Sequence, residues 1–121
     1  MKNIKTVLIV DDDPESSFIL EHKIKKINKD YKVISLENPK EAISEIQNGL
    51  KYDILLVDRR LGNCIKPKEI KEISEIYNPE AKTILISADL NEKIAKKEGF
   101  TEYAQKYNLI TNMNDFLKKY F

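Results

Sequence analysis

The hydrophobic residues of the chain fall into short runs that recur at regular intervals. Runs of strand length cover residues 6–10, 32–36, 53–57, 83–86 and, more weakly, 102–105. The first four are rich in Val, Ile and Leu and alternate little with polar residues, which is typical of strands that are covered on both faces. The fifth run is more polar and suits the edge of a sheet.

Between these runs, apolar residues recur at helical spacing. The predicted helices cover residues 14–26, 39–47, 66–77, 89–98 and 111–121. Pro14 suits a first helical turn, Asn38 suits an N-cap, and Gly49 and Gly99 suit helix ends. Five strand–helix repeats predict a doubly wound parallel sheet with right-handed crossovers.

Length and composition restrict the class of protein. The 121 residues predict one domain spanning residues 1–121, and the formal net charge of +1 lacks the basic excess that is typical of nucleic-acid binding. The single cysteine, Cys64, excludes an intramolecular disulfide and a cysteine-based zinc site. No apolar run approaches the roughly 20 residues of a membrane span, and the first run is too short for a signal peptide. We therefore expect a cytoplasmic protein that neither inserts into a membrane nor binds nucleic acid directly.

Polar residues follow the predicted strands at the edge where such sheets bind ligands. Asp11, Asp12 and Asp13 follow the first strand, the third strand ends in Asp58 and the fourth ends in Ser87, and Lys106 follows the fifth. Each alone is common in turns or on surfaces. Together they predict that carboxylates, a hydroxyl and an ammonium meet at one edge of the sheet.

Such a carboxylate cluster is electrostatically unfavourable by itself. Two carboxylates about 4 Å apart repel by roughly 4 kcal/mol at an effective dielectric constant near 20. A hard divalent cation such as Mg²⁺ relieves this repulsion, and it is commonly held by one or two carboxylates plus phosphate oxygens. A lysine and a hydroxyl can contact a phosphoryl group. The pattern therefore favours a phosphoryl site with a carboxylate acceptor.

Four motifs give the sequence a resemblance to the receiver domains of two-component response regulators. They are VLIVDDDP (residues 7–14), YDILLVDRRL (52–61), ILISA (84–88) and GFTEYAQK (99–106). The resemblance covers nearly the whole chain and implies a flavodoxin-like (βα)5 fold with a five-stranded parallel sheet. It also implies a signalling domain that receives a phosphoryl group from a histidine kinase or a histidine phosphotransfer protein and that catalyses only its own phosphorylation and dephosphorylation.

The resemblance implies roles for the acidic residues. Asp58 would be the phosphoacceptor, Asp12 and Asp58 would bind Mg²⁺ (or Mn²⁺) directly, and Asp11 would act through water. The backbone carbonyl of Arg60 would be a further metal ligand. Asp13 is expected to begin the turn into the following helix, where a carboxylate is favourable.

The resemblance also implies a switch. Ser87 and Lys106 would bind the phosphoryl group, and Tyr103 would swing inward when Ser87 is drawn to it. In the family that the sequence resembles, the positions of Arg60 and Asp89 flank the entrance used by the attacking water, so we hypothesise that these two residues pair there and slow hydrolysis. In the alternative, Arg60 is one of two exposed loop cations.

Two positions depart from the family pattern, because Gly62 and Tyr107 stand where prolines are usual. We expect a trans peptide bond before Tyr107, since a cis bond before a residue other than proline costs about 2.5–4 kcal/mol. His22 is expected at the surface, and Cys64 is expected to be structural or incidental. Tyr107 belongs either to a signalling face, with Tyr103 and a lysine cluster at residues 93, 96 and 97, or to a solvated surface.

Two other functions remain open from the sequence. One is a pseudo-receiver that binds proteins without being phosphorylated. The other is a phosphohydrolase of the haloacid dehalogenase type, with Asp11 rather than Asp58 as the nucleophile. The sequence has no further acidic motif after Lys106, which argues against this phosphohydrolase.

Overall fold

The computed structural model describes residues 5–62, 65–89 and 91–120. In these residues, strands and helices alternate along the chain until two helices follow the last strand. The strands are β1 (Thr6–Val10), β2 (Lys32–Leu36), β3 (Ile54–Asp58), β4 (Lys82–Ser87) and β5 (Tyr103–Gln105). The helices are α1 (Pro14–Ile27), α2 (Pro39–Gln47), α3 (Pro67–Tyr77), α4 (Glu92–Lys97), α5 (Lys106–Thr111) and α6 (Met113–Tyr120).

The described strands form one parallel sheet in the order β2-β1-β3-β4-β5. Val10 at the end of β1 lies opposite Leu36 on one side and Val57 on the other. Asp58 lies opposite Ile86, one residue before the end of β4. The carboxyl ends of the neighbouring strands therefore meet at one edge, and the winding direction reverses between β1 and β3, where such folds bind ligands.

Two hydrophobic cores cover the two faces of the sheet, because successive residues of a strand point to opposite faces. On one face, Val7 and Ile9 of β1 pack with residues of α1, α5 and α6. On the other, Leu8 and Val10 pack with residues of α2, α3 and α4. The strand residues of both cores are almost fully buried. The predicted doubly wound parallel sheet is therefore confirmed.

Local sequence signals set several helix ends. The Asp13 side chain caps α1 by accepting a hydrogen bond from Glu15 N (3.1 Å), which agrees with the turn predicted there. Asn38 caps α2 in the same way. α4 ends before Gly99, whose φ of +85° is in the left-handed region that favours glycine.

The region after β5 differs from the sequence prediction. A single helix over residues 111–121 was expected, but α5 begins already at Lys106 and a break near Asn112 separates it from α6. The Thr111 hydroxyl donates a hydrogen bond to the Tyr107 carbonyl at 3.0 Å, which competes with the regular backbone pattern. The polar residues around this break obscured the helical periodicity of the segment.

Smaller expectations have mixed outcomes. Helix α4 begins at Glu92 after the N-cap Asn91, so Asp89 precedes the helix instead of opening it. His22 is exposed on α1 and stacks on Phe18.

No cis peptide bond occurs in the described residues, so the bond before Tyr107 is trans as expected. Cys64 lies outside the described residues. Within the described ranges, no helix has the length and apolar character needed to cross a bilayer.

Candidate functional site

Three aspartates meet at the carboxyl edge of the sheet. Asp11 and Asp12 follow β1 directly, and Asp58 is the last residue of β3. One carboxylate oxygen of each lies within 4.8 Å of the others. Asp11 is 0% exposed and Asp58 is 6% exposed, whereas Asp12 is exposed to solvent. The structure thus brings together three of the predicted site residues, two of them buried and one open to water.

Lys106 extends its ammonium group to the two buried carboxylates. Its Nζ lies 2.9 Å from Asp11 Oδ2 and 3.6 Å from Asp58 Oδ2, and its side chain is 18% exposed. Because Lys106 opens α5 directly after the edge strand, the fold carries this cation across the end of the sheet to the acidic cluster. Lys106 therefore lies next to the acidic cluster, as the sequence predicted.

The electrostatics of the cluster distinguish the buried aspartates. Burial, together with the negative charge of Asp11, raises the pKa of Asp58 to about 6. Burial also opposes ionisation of Asp11, but the hydrogen bond from Asp13 N (3.0 Å) and the ion pair with Lys106 bring the pKa of Asp11 below its usual value. Burial likewise opposes the charge of Lys106, yet the Asp11 carboxylate raises the pKa of Lys106. Asp11 and Lys106 thus hold their charges as a pair.

The donor set fits a hard divalent cation. All three side chains offer carboxylate oxygens, which Mg²⁺ and Mn²⁺ prefer over softer ligands. A single ammonium group offsets only part of the charge of three carboxylates. Asp12 faces solvent, so water can complete the coordination of an ion bound there. The residues present therefore suit Mg²⁺.

Ser87 is directed to a neighbour outside the acidic cluster. It ends β4, is 2% exposed, and its hydroxyl donates a hydrogen bond to Asp89 Oδ1 at 3.1 Å. This hydrogen bond, followed by the charge of Arg60, lowers the pKa of Asp89. The Ser87 hydroxyl is therefore held by Asp89 in this structure.

Two arginines that follow Asp58 form ion pairs with Asp89. Arg60 Nη2 lies 3.2 Å from Asp89 Oδ2, as the predicted pairing requires, and Arg59 Nη1 lies 3.8 Å from Asp89 Oδ1. Arg59 Nε also lies 3.7 Å from Glu98 Oε1. Sequence reasoning missed the contacts of Arg59 and Glu98, since a separation of 39 positions gives no local signal.

Four other positions were singled out in the sequence, namely Tyr103, Arg60, Gly62 and Tyr107. Tyr103 begins β5 and is 38% exposed, so its ring is not enclosed in the core. The Arg60 backbone N–H donates a long hydrogen bond of 3.4 Å to Asp58 Oδ1, while the metal-ligand role of the Arg60 carbonyl stays a prediction. A methyl group placed on Gly62 would lie 3.9 Å from Asp12 Oδ2, so this position borders the acidic cluster. Tyr107 is 71% exposed.

Solved structures with the same fold support this architecture. Chemotaxis response regulator CheY4 of Vibrio cholerae superposes with a TM-score of 0.80 at 15% identity, covering 98% of this chain and 100% of that one. The non-phosphorylated receiver domain of RcsB from Escherichia coli gives 0.77 at 16% identity, covering 96% and 92%. The phosphorylated cyanobacterial phytochrome response regulator RcpA gives 0.79 at 13% identity, covering 98% and 94%.

Sequence comparison identifies the family. No curated protein has a significantly similar sequence. The family model of the response regulator receiver domain matches residues 7–121, which include the acidic cluster, Ser87 and Lys106. The chain therefore belongs to the response regulator receiver domain family.

Proposed function

We propose that this receiver domain accepts a phosphoryl group on Asp58 from the phosphohistidine of a histidine kinase or a histidine phosphotransfer protein. Membership of the family makes the chain a signalling domain of two-component systems. The observation that carries the proposal is the contact of Lys106 Nζ with both buried carboxylates of a three-aspartate cluster. We also propose that the domain acts in the cytoplasm.

The contacts of the two buried aspartates favour Asp58 over Asp11 as the nucleophile. Asp11 is fully buried, and its two oxygens face Asp13 N at 3.0 Å and Lys106 Nζ at 2.9 Å. The cations and N–H donors that contact Asp58 lie farther away, with Arg60 N at 3.4 Å and Lys106 Nζ at 3.6 Å. A carboxylate with weaker contacts is freer to attack, so no observation favours a haloacid dehalogenase reaction at Asp11.

Asp12 and Asp58 would bind Mg²⁺ (or Mn²⁺) directly, Asp11 would bind it through water, and the Arg60 carbonyl would add a ligand. When bound, the ion neutralises charge on the transferring phosphoryl group. The raised pKa of Asp58 supports this proposal, because burial and the negative charge of Asp11 disfavour the ionised form of Asp58. A nearby positive charge would favour the ionised, nucleophilic form of Asp58.

The chemical step uses groups of this chain. An oxygen of Asp58 would form a bond to phosphorus while the bond from phosphorus to the histidine nitrogen breaks and its electron pair returns to the imidazole. Lys106 would pair with a phosphoryl oxygen and Ser87 would donate a hydrogen bond to another. Hydrolysis by water would later return Asp58 to a carboxylate and release inorganic phosphate.

Phosphorylation would switch the domain through Ser87 and Tyr103. To contact the phosphoryl group, Ser87 has to give up its hydrogen bond to Asp89. The space left by that movement would be available to the Tyr103 ring, which is partly exposed in this structure. The two states would present different surfaces to a downstream partner.

A labelling experiment tests the proposal. Incubation with acetyl phosphate and MgCl₂, followed by peptide mass spectrometry, is expected to place the phosphoryl group on Asp58. Asp58→Asn should abolish the label, whereas Asp13→Asn should keep it, since asparagine is also a good N-cap. A label on Asp11 would contradict the proposal, and no label at any aspartate would favour the pseudo-receiver.

Magnesium binding has its own readout. An ion that binds only the folded state raises the melting temperature. We expect MgCl₂ to raise it in the wild-type protein, and less in Asp12→Ala. An equal rise in both proteins would contradict the proposed role of Asp12.

A further inference from the structure

An open groove of about 860 Å³ lies between residues 59–61, which directly follow Asp58 in the chain, the start of α3 and the end of α4. Among the described residues that line it, Glu98 alone carries a negative charge. The cationic lining residues are Arg59, Arg60, Lys66, Lys68 and Lys97. The whole chain has 21 basic and 20 acidic residues, so this excess of positive charge is a local feature.

Three of these cations form no ion pair within the residues that the structure describes. Elsewhere on α3, Lys71 forms an ion pair with Glu75 at 2.8 Å. In contrast, Lys66, Lys68 and Lys97 form no ion pair with the described part of the chain. Like charges collected in one groove repel, and an anionic ligand would relieve that repulsion.

Lys68 shows how the fold gathers these charges. Glu72 lies four residues further along α3, a spacing that permits an ion pair on a helix. Instead, the Lys68 stem lies over Gly99 at the end of α4, where a methyl group placed on the glycine would be 3.3 Å from Lys68 Cδ. The glycine therefore leaves room for a lysine that crosses from one helix to the other along the groove.

The two arginines contribute less to ligand binding. Arg60 is held by Asp89 at 3.2 Å, and Arg59 is shared between Asp89 and Glu98 at 3.8 and 3.7 Å. Their positive charge is therefore partly neutralised within the chain. The lysines remain as the main groups that can attract an anion.

The apolar part of the groove indicates the kind of anion. Leu61 and Ile65 are partly buried and pack on the core, and Pro67 is buried. The described lining contains no aromatic side chain on which a nucleotide base could stack. An apolar floor with a cationic rim therefore complements a peptide that carries both carboxylates and aliphatic side chains.

We propose that this groove docks an acidic peptide segment of a partner protein, with aliphatic side chains on the floor and carboxylates against Lys66, Lys68 and Lys97. The docking site is distinct from the phosphoacceptor and does not require phosphorylation. Because residues 59–61 directly follow Asp58 in the chain, a docked partner would be held near the site. Charge complementarity would speed association at low ionic strength.

Fluorescence anisotropy tests the proposal in the absence of a phosphodonor. The probe is a short labelled peptide of alternating Glu and Leu, compared with Glu/Ser and Lys/Leu peptides. We expect the Glu/Leu peptide to bind most tightly, and its affinity to fall between about 50 and 300 mM salt as the charges are screened. Replacing Lys66, Lys68 and Lys97 together with Glu should weaken binding by about tenfold or more.

A matched variant carries the same three reversals on exposed lysines outside the groove, at Lys29, Lys40 and Lys118. It should retain wild-type affinity, and a triple Lys→Gln variant of the groove covers the case in which charge reversal prevents folding. Equal loss in the groove and matched variants would overturn the proposal. So would equal affinity for the Glu/Ser peptide, or tighter groove-dependent binding of a single-stranded oligonucleotide or of inorganic phosphate. No phosphodonor is present, so these results do not depend on whether Asp58 can accept a phosphoryl group.

Discussion

The buried hydroxyl of Ser87 donates a hydrogen bond to the exposed carboxylate of Asp89, with 3.1 Å between Ser87 Oγ and Asp89 Oδ1. The residue proposed to bind the phosphoryl group is thus held by a group just outside the site. Arg60 and Arg59 in turn hold Asp89. Switching would have to break the contact between Ser87 and Asp89, so Asp89 would favour the unphosphorylated conformation.

Replacing Asp89 should therefore favour the conformation in which Ser87 contacts the phosphoryl group. Because a single hydrogen bond contributes modestly to stability, Asp89→Ala is expected to bind the phosphoryl mimic beryllofluoride roughly two- to tenfold more tightly in the presence of Mg²⁺. Affinity is measured by NMR titration, with the Tyr103 amide signal as the reporter of the switch.

Arg60→Ala is the matched control for this experiment. It removes the ion pair with Asp89 but leaves the Ser87 hydrogen bond in place. We expect its beryllofluoride affinity to stay close to the wild-type value. Equal tightening in the two variants would show that the ion pair, and not the hold on Ser87, controls the equilibrium.

The pair of Arg60 and Asp89 is also predicted to slow hydrolysis of the acyl phosphate by obstructing the entrance for water. An exposed ion pair contributes little, so Arg60→Ala and Asp89→Ala should each accelerate dephosphorylation only modestly, by up to about fivefold. Loss of label from the purified phosphoprotein gives the rates. The double variant should be no faster than the faster single variant, and unchanged rates in both single variants would refute the role.

The pKa of Asp58 leads to a prediction about stability and pH. Because the folded-state pKa is raised to about 6, protonated Asp58 supports the fold at low pH, and this contribution is lost as the pH rises through about 6. The free energy of unfolding of Asp58→Asn, minus that of the wild type, should therefore grow by roughly 2 kcal/mol between pH 4 and pH 8 without metal.

Urea denaturation at several pH values measures this difference. Saturating MgCl₂ should reduce the advantage of the variant at pH 8, because a bound cation favours the ionised wild-type carboxylate. A difference that does not change with pH would contradict the raised pKa of Asp58.

Lys106 is predicted to stabilise the fold as well as to bind the phosphoryl group. Lys106→Met would leave the fully buried Asp11 carboxylate without its 2.9 Å partner. Removing one partner of a buried pair costs about 3–5 kcal/mol, and the partial exposure of Lys106 reduces our expectation to about 2–3 kcal/mol at pH 8. Urea denaturation measures the loss, with exposed Lys118→Met as the control. Equal stability of the two variants would argue against the importance of the ion pair.

The sequence alone was sufficient to predict the layered fold and the edge of the sheet at which the acidic residues meet. Strand-length runs of Val, Ile and Leu predicted strands buried on both faces, and the rule for parallel sheets predicted that Asp11, Asp58 and Ser87 lie at one edge. Asp13 was also recognisable as a cap, because capping depends on a neighbour only two residues away. These features follow from hydrophobic periodicity and local hydrogen bonding, which a sequence displays directly.

Which charged side chains contact one another depends on the tertiary packing, and most of these contacts could not be predicted from the sequence. The hold of Asp89 on Ser87, the contacts of Arg59 with Glu98, and the passage of Lys68 over Gly99 all depend on side-chain directions at the ends of different elements. The early start of α5 at Lys106 depends likewise on packing of the last segment onto the sheet. Long polar side chains have several rotamers of similar energy, so their partners are chosen by the assembled surface and not by their position in the sequence.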